Sequence, residues 1–223
     1  MNASALPFYN TLSKDGCRTL SENLKELSYT KDQIVHENGE VFRGMIYVKE
    51  GLLSVSLLSE DGREMTLFRL RKGEVCFLTA IHTIEGIHFD VSLETEQKTD
   101  LLYLPESILA SLMMQNPLFA EFAHRSVAEN FSRTVSVLQM LLFASLDQRL
   151  ASFLYTETVE TGSVHLSMTH ERVAQHIGSA REVVSRALKG LAEAGIVRLS
   201  RARITVTNKE KLRKLAEVGQ KVN

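Results

Sequence analysis

The chain has 223 residues, 44% of them hydrophobic and 24% charged, with 12 Gly and 3 Pro, a make-up that excludes a disordered or collagen-like protein and fits an ordinary globular one. Two cysteines, Cys17 and Cys76, are too few for a disulfide framework or a four-thiolate zinc or iron–sulfur site, and Met1-Asn2-Ala3-Ser4-Ala5 opens no leader-like segment, so a cytoplasmic protein with no membrane partner is expected. The net charge of −1 hides an asymmetry: Lys+Arg number 13 against 8 Asp+Glu from Asp147 onward and 13 against 19 before it, which points the back half at a polyanion.

Taken in order, residues Thr11–Leu27 carry Leu12, Leu20, Leu24 and Leu27 at helical spacing, with Ser13 and Asp15 as caps, and predict one or two short helices. From Ile34 the period becomes two. Strands are expected at Ile34-Val35-His36, Met45–Val48, Leu52–Leu57, Met65–Leu70, Phe89–Leu93 and Leu101–Leu104. Turn signals separate the early ones, and their glycines, Gly39, Gly51, Gly62 and Gly73, recur every 11 or 12 residues, the interval of antiparallel strands winding into a small barrel or jelly roll. Pro105 suits a first helical turn. From Pro117 a long helix is expected with an apolar stripe through Phe119, Phe122, Phe131, Val135, Leu138, Leu141 and Leu142. That stripe packs on the chain's own barrel or on the same helix of a second subunit; Phe122, Phe131, Val135, Leu138 and Leu142 are the candidate dimer contacts. Ser145-Leu146-Asp147-Gln148 reads as a capping box that breaks the long helix and starts another.

The most informative stretch runs from Met168 to Leu188. Thr169 caps a helix whose inward face is Val173, Ala174 and Ile177, Gly178 ends it, and Ser179 with Glu182 is expected to cap a second helix cored by Val183, Val184, Ala187, Leu188 and Leu191. Two short helices across a Gly turn make a helix-turn-helix whose second helix carries Arg181, Glu182, Ser185, Arg186 and Lys189. An arginine there can bond guanine O6 and N7 together, and a glutamate can accept from cytosine N4. Residues 194–206 then predict a β-hairpin wing whose arginines, Arg201 and Arg203 among them, would touch phosphate.

Over nearly its full length the chain resembles the Crp/Fnr family of bacterial regulators. The resemblance rests on Val48-Lys49-Glu50-Gly51, Glu60-Asp61-Gly62-Arg63-Glu64 and Lys72-Gly73-Glu74 in the barrel, and on Gly178-Ser179-Ala180-Arg181-Glu182-Val183-Val184-Ser185-Arg186. It implies an α+β protein: residues 1–114 an antiparallel β-roll, or jelly-roll barrel, that senses an effector, 115–144 a dimerisation helix, and 145–223 a winged helix-turn-helix. It also implies a homodimer on a palindromic double-stranded DNA site with TGA-like half-sites, and RNA polymerase as partner if it activates. On that match Arg181, Glu182 and Arg186 fall on base-reading positions, Ser185 on one that tunes the half-site, and Thr169 and Ser179 on phosphate contacts. Ala180 and Val183 stand where some members keep hydroxyls.

Members that bind cyclic AMP hold it with a Gly-Glu pair and an Arg-Ser pair. Here those places are taken by Phe77-Leu78 and Phe89-Asp90, which removes the cation and sets an acid against the phosphate, so cyclic AMP is not the expected effector. The expected pocket involves Cys76, Phe77, His82, His88, Phe89 and Asp90, and its effector is open. Cys76, His82 and His88 are haem-ligand types, but a Cys within Val75-Cys76-Phe77-Leu78 is more simply core and loop histidines more simply surface, so no metal is expected and haem is the alternative. No Gly-rich phosphate loop or His-Glu-x-x-His suggests an enzyme. The rival reading is a protein-contact module with no DNA affinity.

Overall fold

The structure, a computed structural model, describes residues 3–35, 43–59, 64–77 and 91–217. The expected turns at Glu37–Glu40 and Glu60–Gly62, and His36, Leu78, His82, His88, Phe89 and Asp90, lie outside these residues. The chain divides into two compact units, Met1–Gly62 with Leu67–Thr134, and Arg63–Thr66 with Val135–Asn223.

In the first unit, helix α1 (Lys14–Asn23) is capped by Ser13, whose hydroxyl accepts from the Gly16 amide. It stops earlier than the sequence suggests. Leu27 belongs to strand β1 (Lys25–Tyr29), which pairs antiparallel with β7 (Thr99–Pro105). A Leu three residues beyond Leu24 fits a helical stripe, but Glu26 and Ser28 alternate with Leu27 and Tyr29 on a half-exposed strand, and the free edge of β7 fixes which pattern wins. Strands β2 (Gly44–Glu50), β3 (Leu52–Leu58), β4 (Glu64–Arg71), β5 (Val75–Phe77) and β6 (Val91–Thr95) complete two sheets, in the orders β1-β7-β2-β5 and β4-β3-β6. Ile34 and Val35 form no strand of their own; Ile34 makes one isolated bridge, to Glu94.

The fold is the expected α+β arrangement with an antiparallel jelly-roll-like body. Between the sheets lie Ile46, Val48, Leu53, Val55, Leu70, Cys76, Leu93 and Leu101. The opposite face of the four-stranded sheet, through Met45, Val75, Phe77, Leu102 and Leu104, is covered by α1 and by α2 (Glu106–Gln115) and α3 (Pro117–Phe143). Being buried on both faces, these strands read as apolar runs rather than clean alternation. Gly51 turns β2 into β3 at φ +107, where a Cβ would lie 2.6 Å from the Lys98 carbonyl oxygen, so no larger residue fits. Pro105 caps α2 rather than lying inside it, and the helical stretch is broken at buried Asn116, whose Oδ1 accepts from the Ser13 amide at 2.7 Å. That bond ties the start of α1 to the α2–α3 corner.

Helix α3 changes character along its length. Phe119 is fully buried, and Phe122 packs against Phe8 and Phe77, with ring centroids 5.4 and 6.3 Å away. Phe122, expected among the dimer contacts, is thus used within its own subunit, because its turn of the helix lies on the sheet. Phe131 is 68% exposed and Leu142 74%, with Leu138 exposed between them.

The second unit begins its own helices at the expected capping box: Ser145 Oγ accepts from the Gln148 amide while Gln148 Oε1 accepts from the Ser145 amide, opening α4 (Leu146–Glu160). Next come β8 (His165–Leu166), α5 (His170–Ile177), α6 (Arg181–Glu193), β9 (Val197–Ser200), β10 (Arg203–Val206) and α7 (Lys209–Glu217). Leu150, Leu154, Val173, Val184, Leu188, Ile204 and Leu212 share one core. Among the described residues, no helix is long and apolar enough to cross a membrane.

Candidate nucleic-acid interface

Thr169 Oγ1 accepts from the Arg172 amide at 3.1 Å and starts α5. Gly178 ends it at φ 61, ψ 56, and the Ser179 amide donates to the Ala174 carbonyl at 3.0 Å, so Ser179 closes the first helix. This corrects the expectation that Ser179 caps the second: the N-cap of α6 is Ala180, with no side-chain cap bond. The left-handed turn claims the serine backbone for α5, and one more extended residue is needed before α6 can begin. The Arg149 guanidinium donates to the Ile177 and Gly178 carbonyls at 2.8 and 3.3 Å, placing a cation at the C-terminal end of α5; burial lowers its pKa.

At Gly178 an added Cβ would meet a Leu141 methyl at 2.8 Å in addition to the strained φ. Gly178→Ala is expected to destabilise this unit by at least about 1–2 kcal/mol. In a thermal melt this reads as a midpoint several degrees lower; an unchanged midpoint would contradict the turn geometry.

Helix α6 buries Val184, Leu188 and Leu191, while Val183 and Ala187 are only partly covered. Its opposite face carries Arg181, Glu182, Ser185 and Arg186, which together line one open recess. Steps of one, three and one residue put all four on the same side over the first turn and a half. A neighbouring recess joins the start of α5 (Thr169, His170, Glu171) and Arg181 to the wing tip (Ser200, Arg201, Ala202). Lys189 and Arg203 are exposed but line neither recess. The wing is a three-stranded sheet, β8-β10-β9, with Arg203 opposite Ser200 and Ile204 opposite both Leu199 and Leu166.

The sequence reading missed β8, which is only two residues long, and α7, whose Leu212, Leu215 and Ala216 form a legible amphipathic face. It also passed over His170, whose Nδ1 lies 3.2 Å from Ser185 Oγ. A contact between residues fifteen apart on two helices leaves no periodic trace.

In the other unit, Cys76 is buried between the sheets and Phe77 faces the helices, so the two do not share a pocket. Burial pushes the Cys76 thiol up to about 12, against a smaller downward pull from Arg133. Among the described residues no cluster of three or more His, Cys, Asp or Glu is placed to hold a metal ion.

The model of the Crp-like helix-turn-helix domain matches residues 148–215, and that of the cyclic nucleotide-binding domain matches residues 26–116. The transcriptional regulator SdrP of Thermus thermophilus is 30% identical over 178 residues, covering 76% of this chain and 82% of its own. A crystal structure assigned to the Crp/Fnr family, from Eubacterium rectale, superposes with a TM-score of 0.88 at 34% identity, over 96% of this chain and 99% of that one. The chain belongs to the Crp/Fnr family. The regulatory protein HlyX of Actinobacillus pleuropneumoniae is a further relative, 24% identical over 93% of this chain and 88% of its own. As a Crp/Fnr protein the chain is a DNA-binding transcription regulator, and the α6 recess is where that function is to be sought.

Proposed function

We propose that this regulator acts as a cytoplasmic homodimer on a palindromic operator and is controlled by an effector other than cyclic AMP. The observation that carries the reading is the clustering of Arg181, Glu182, Ser185 and Arg186 on the exposed face of α6, beside the arginine-bearing wing. Arg181, Glu182 and Arg186 read bases; Thr169, Ser179, Lys189, Arg201 and Arg203 serve phosphate. Thr169 does so from a hydroxyl that already accepts from the Arg172 amide to cap α5, which leaves it one lone pair and one proton for a further partner. Residues 1–114 act as sensor, 115–144 as dimer stalk and 145–223 as DNA-binding domain. Phe131, Val135, Leu138 and Leu142 step by four, three and four residues, the spacing of a two-helix seam, and Phe131, Leu138 and Leu142 are large exposed apolar groups. Half-site centres then fall about one helical turn, roughly 34 Å, apart.

Selecting bound duplexes from a random library tests the whole reading. An inverted repeat, bound with an affinity that falls steeply with salt, is the expected result. Recovery of no motif under any ligand or redox condition would remove it.

Phe77 stands where cyclic AMP-binding members place part of their ribose contact, and it is buried among Phe119 and Phe122. Titration calorimetry with cyclic AMP is therefore expected to show no micromolar binding. Cys76 is not the sensing group in this reading. A neutral buried thiol reacts slowly, so a thiol reagent should label Cys17 in the native protein and reach Cys76 only on unfolding. The raised value also sets a pH dependence. The contribution to stability is complete below the ordinary thiol value of about 8.5, where both states are neutral, and is lost as pH rises toward the folded value of about 12. Alkaline unfolding accompanied by exposure of the second thiol is the measurable sign.

A further inference from the structure

We infer that His170 is a positioning residue that holds the Ser185 hydroxyl and so sets which hydrogen-bonding role Ser185 offers to the base edge. The inference rests on the DNA-recognition reading of α6. His170 is the first residue of α5 and is half-buried, and its Nδ1 lies 3.2 Å from Ser185 Oγ. Ser185 in turn lies between Glu182 and Arg186 in the α6 recess. One hydroxyl therefore has the imidazole on one side and the expected base on the other.

A serine hydroxyl has one proton to give and two lone pairs. When Nδ1 carries no proton it can only accept, so Ser185 donates to it and turns lone pairs alone toward the groove. The base partners are then donors, adenine N6 or cytosine N4. When Nδ1 is protonated it donates to Oγ, and the serine proton is released outward to thymine O4 or to guanine O6 or N7. The role Nδ1 takes thus sets what Ser185 can offer: with its proton turned inward it only accepts from the base, and with its proton freed it can also donate.

The charged groups around the pair are Glu171 on α5 itself, Arg181, Glu182 and Arg186 on α6, and Arg201 at the wing tip. On the side of α4, Arg149 lies at the far end of α5, bonded to the carbonyls of Ile177 and Gly178.

The test uses the full-length protein and the operator selected above, with all four bases placed in turn at each half-site position and competed against one another. Ser185→Ala identifies the position concerned by flattening the preference there. At that position the wild type is expected to favour its preferred base by roughly threefold to tenfold, the weight of one hydrogen bond. His170→Phe, which keeps a planar ring without the bond, should lose that preference while total affinity for other sites persists. His170→Gln, whose amide can still bond the hydroxyl, should restore a preference there.

A His170→Phe protein that keeps the wild-type preference at that position overturns the inference and leaves DNA recognition by α6 standing. Should His170→Phe fail to fold, His170→Ala decides by the same criterion. A wild type that prefers no duplex takes the underlying reading down with it.

Discussion

Arg181→Ala is expected to yield a protein that folds as before and still binds DNA, yet has lost its preference at one base pair of each half-site. The guanidinium sits at the first residue of α6, exposed, and lines both the α6 recess and the one that reaches the wing tip. It supports no core contact, so its removal leaves Val184, Leu188 and Leu191 packed as they are. A two-toothed contact to guanine carries about 1–3 kcal/mol of discrimination, so affinity should fall about 5- to 150-fold for each half-site engaged while affinity for random duplex changes little. Arg186→Ala should do the same at another base pair. The contrast is Arg201→Ala, a wing-tip change that weakens all duplexes together and lowers the salt slope by about one. Competition binding at two salt concentrations separates the cases. A loss of equal size on operator and random DNA for Arg181→Ala would move that residue from base reading to backbone contact.

The second large effect concerns the stalk. Leu138→Glu with Leu142→Glu places two charges on consecutive turns of the exposed seam of α3. A single chain loses little, because Leu142 is 74% exposed and Leu138 47%, so circular dichroism and the melting of each unit should change only slightly. In the proposed dimer, however, the same carboxylates would face each other across the two-fold axis, buried and without partners. The expected product is a monomer by light scattering that holds a single half-site. Its operator affinity should drop by at least about a thousandfold, toward the level of non-specific binding. If the double variant remained dimeric, the subunits would have to associate through another surface.

What could be read from the sequence was local. The Ser145–Gln148 capping box and the positive φ at Gly178 each depend on residues within one turn, and both occur as expected. The apolar strands and the turns at Gly51 and Gly73 pointed to the antiparallel jelly-roll body for the same reason, since period and turn chemistry are short-range. Errors fell where a distant part of the chain chose between two local options. Leu27 suited a helix or a strand until the edge of β7 settled it, and Ser179 suited two helix ends until the turn at Gly178 assigned it to α5. Phe122 and Phe131 look alike along the stripe, but only the first finds Phe8 and Phe77. Of the α6 face, its four polar positions were legible from spacing alone. The partnership of His170 with Ser185 was not, because it depends on the crossing of two helices.

The wing has a further property that follows from its strand order. With β10 in the middle, β9 is left as an outer strand, and among the described residues it pairs on one side alone. Such an open edge invites another molecule's strand, a route to sticky fibrils whenever DNA is absent. Arg198 is exposed on that rim, and Arg201 and Arg203 follow it around the corner, so two approaching copies would repel each other. The charges expected to grip phosphate would then also act as the wing's gatekeepers, and neutralising them would exact a toll on solubility before any promoter was reached.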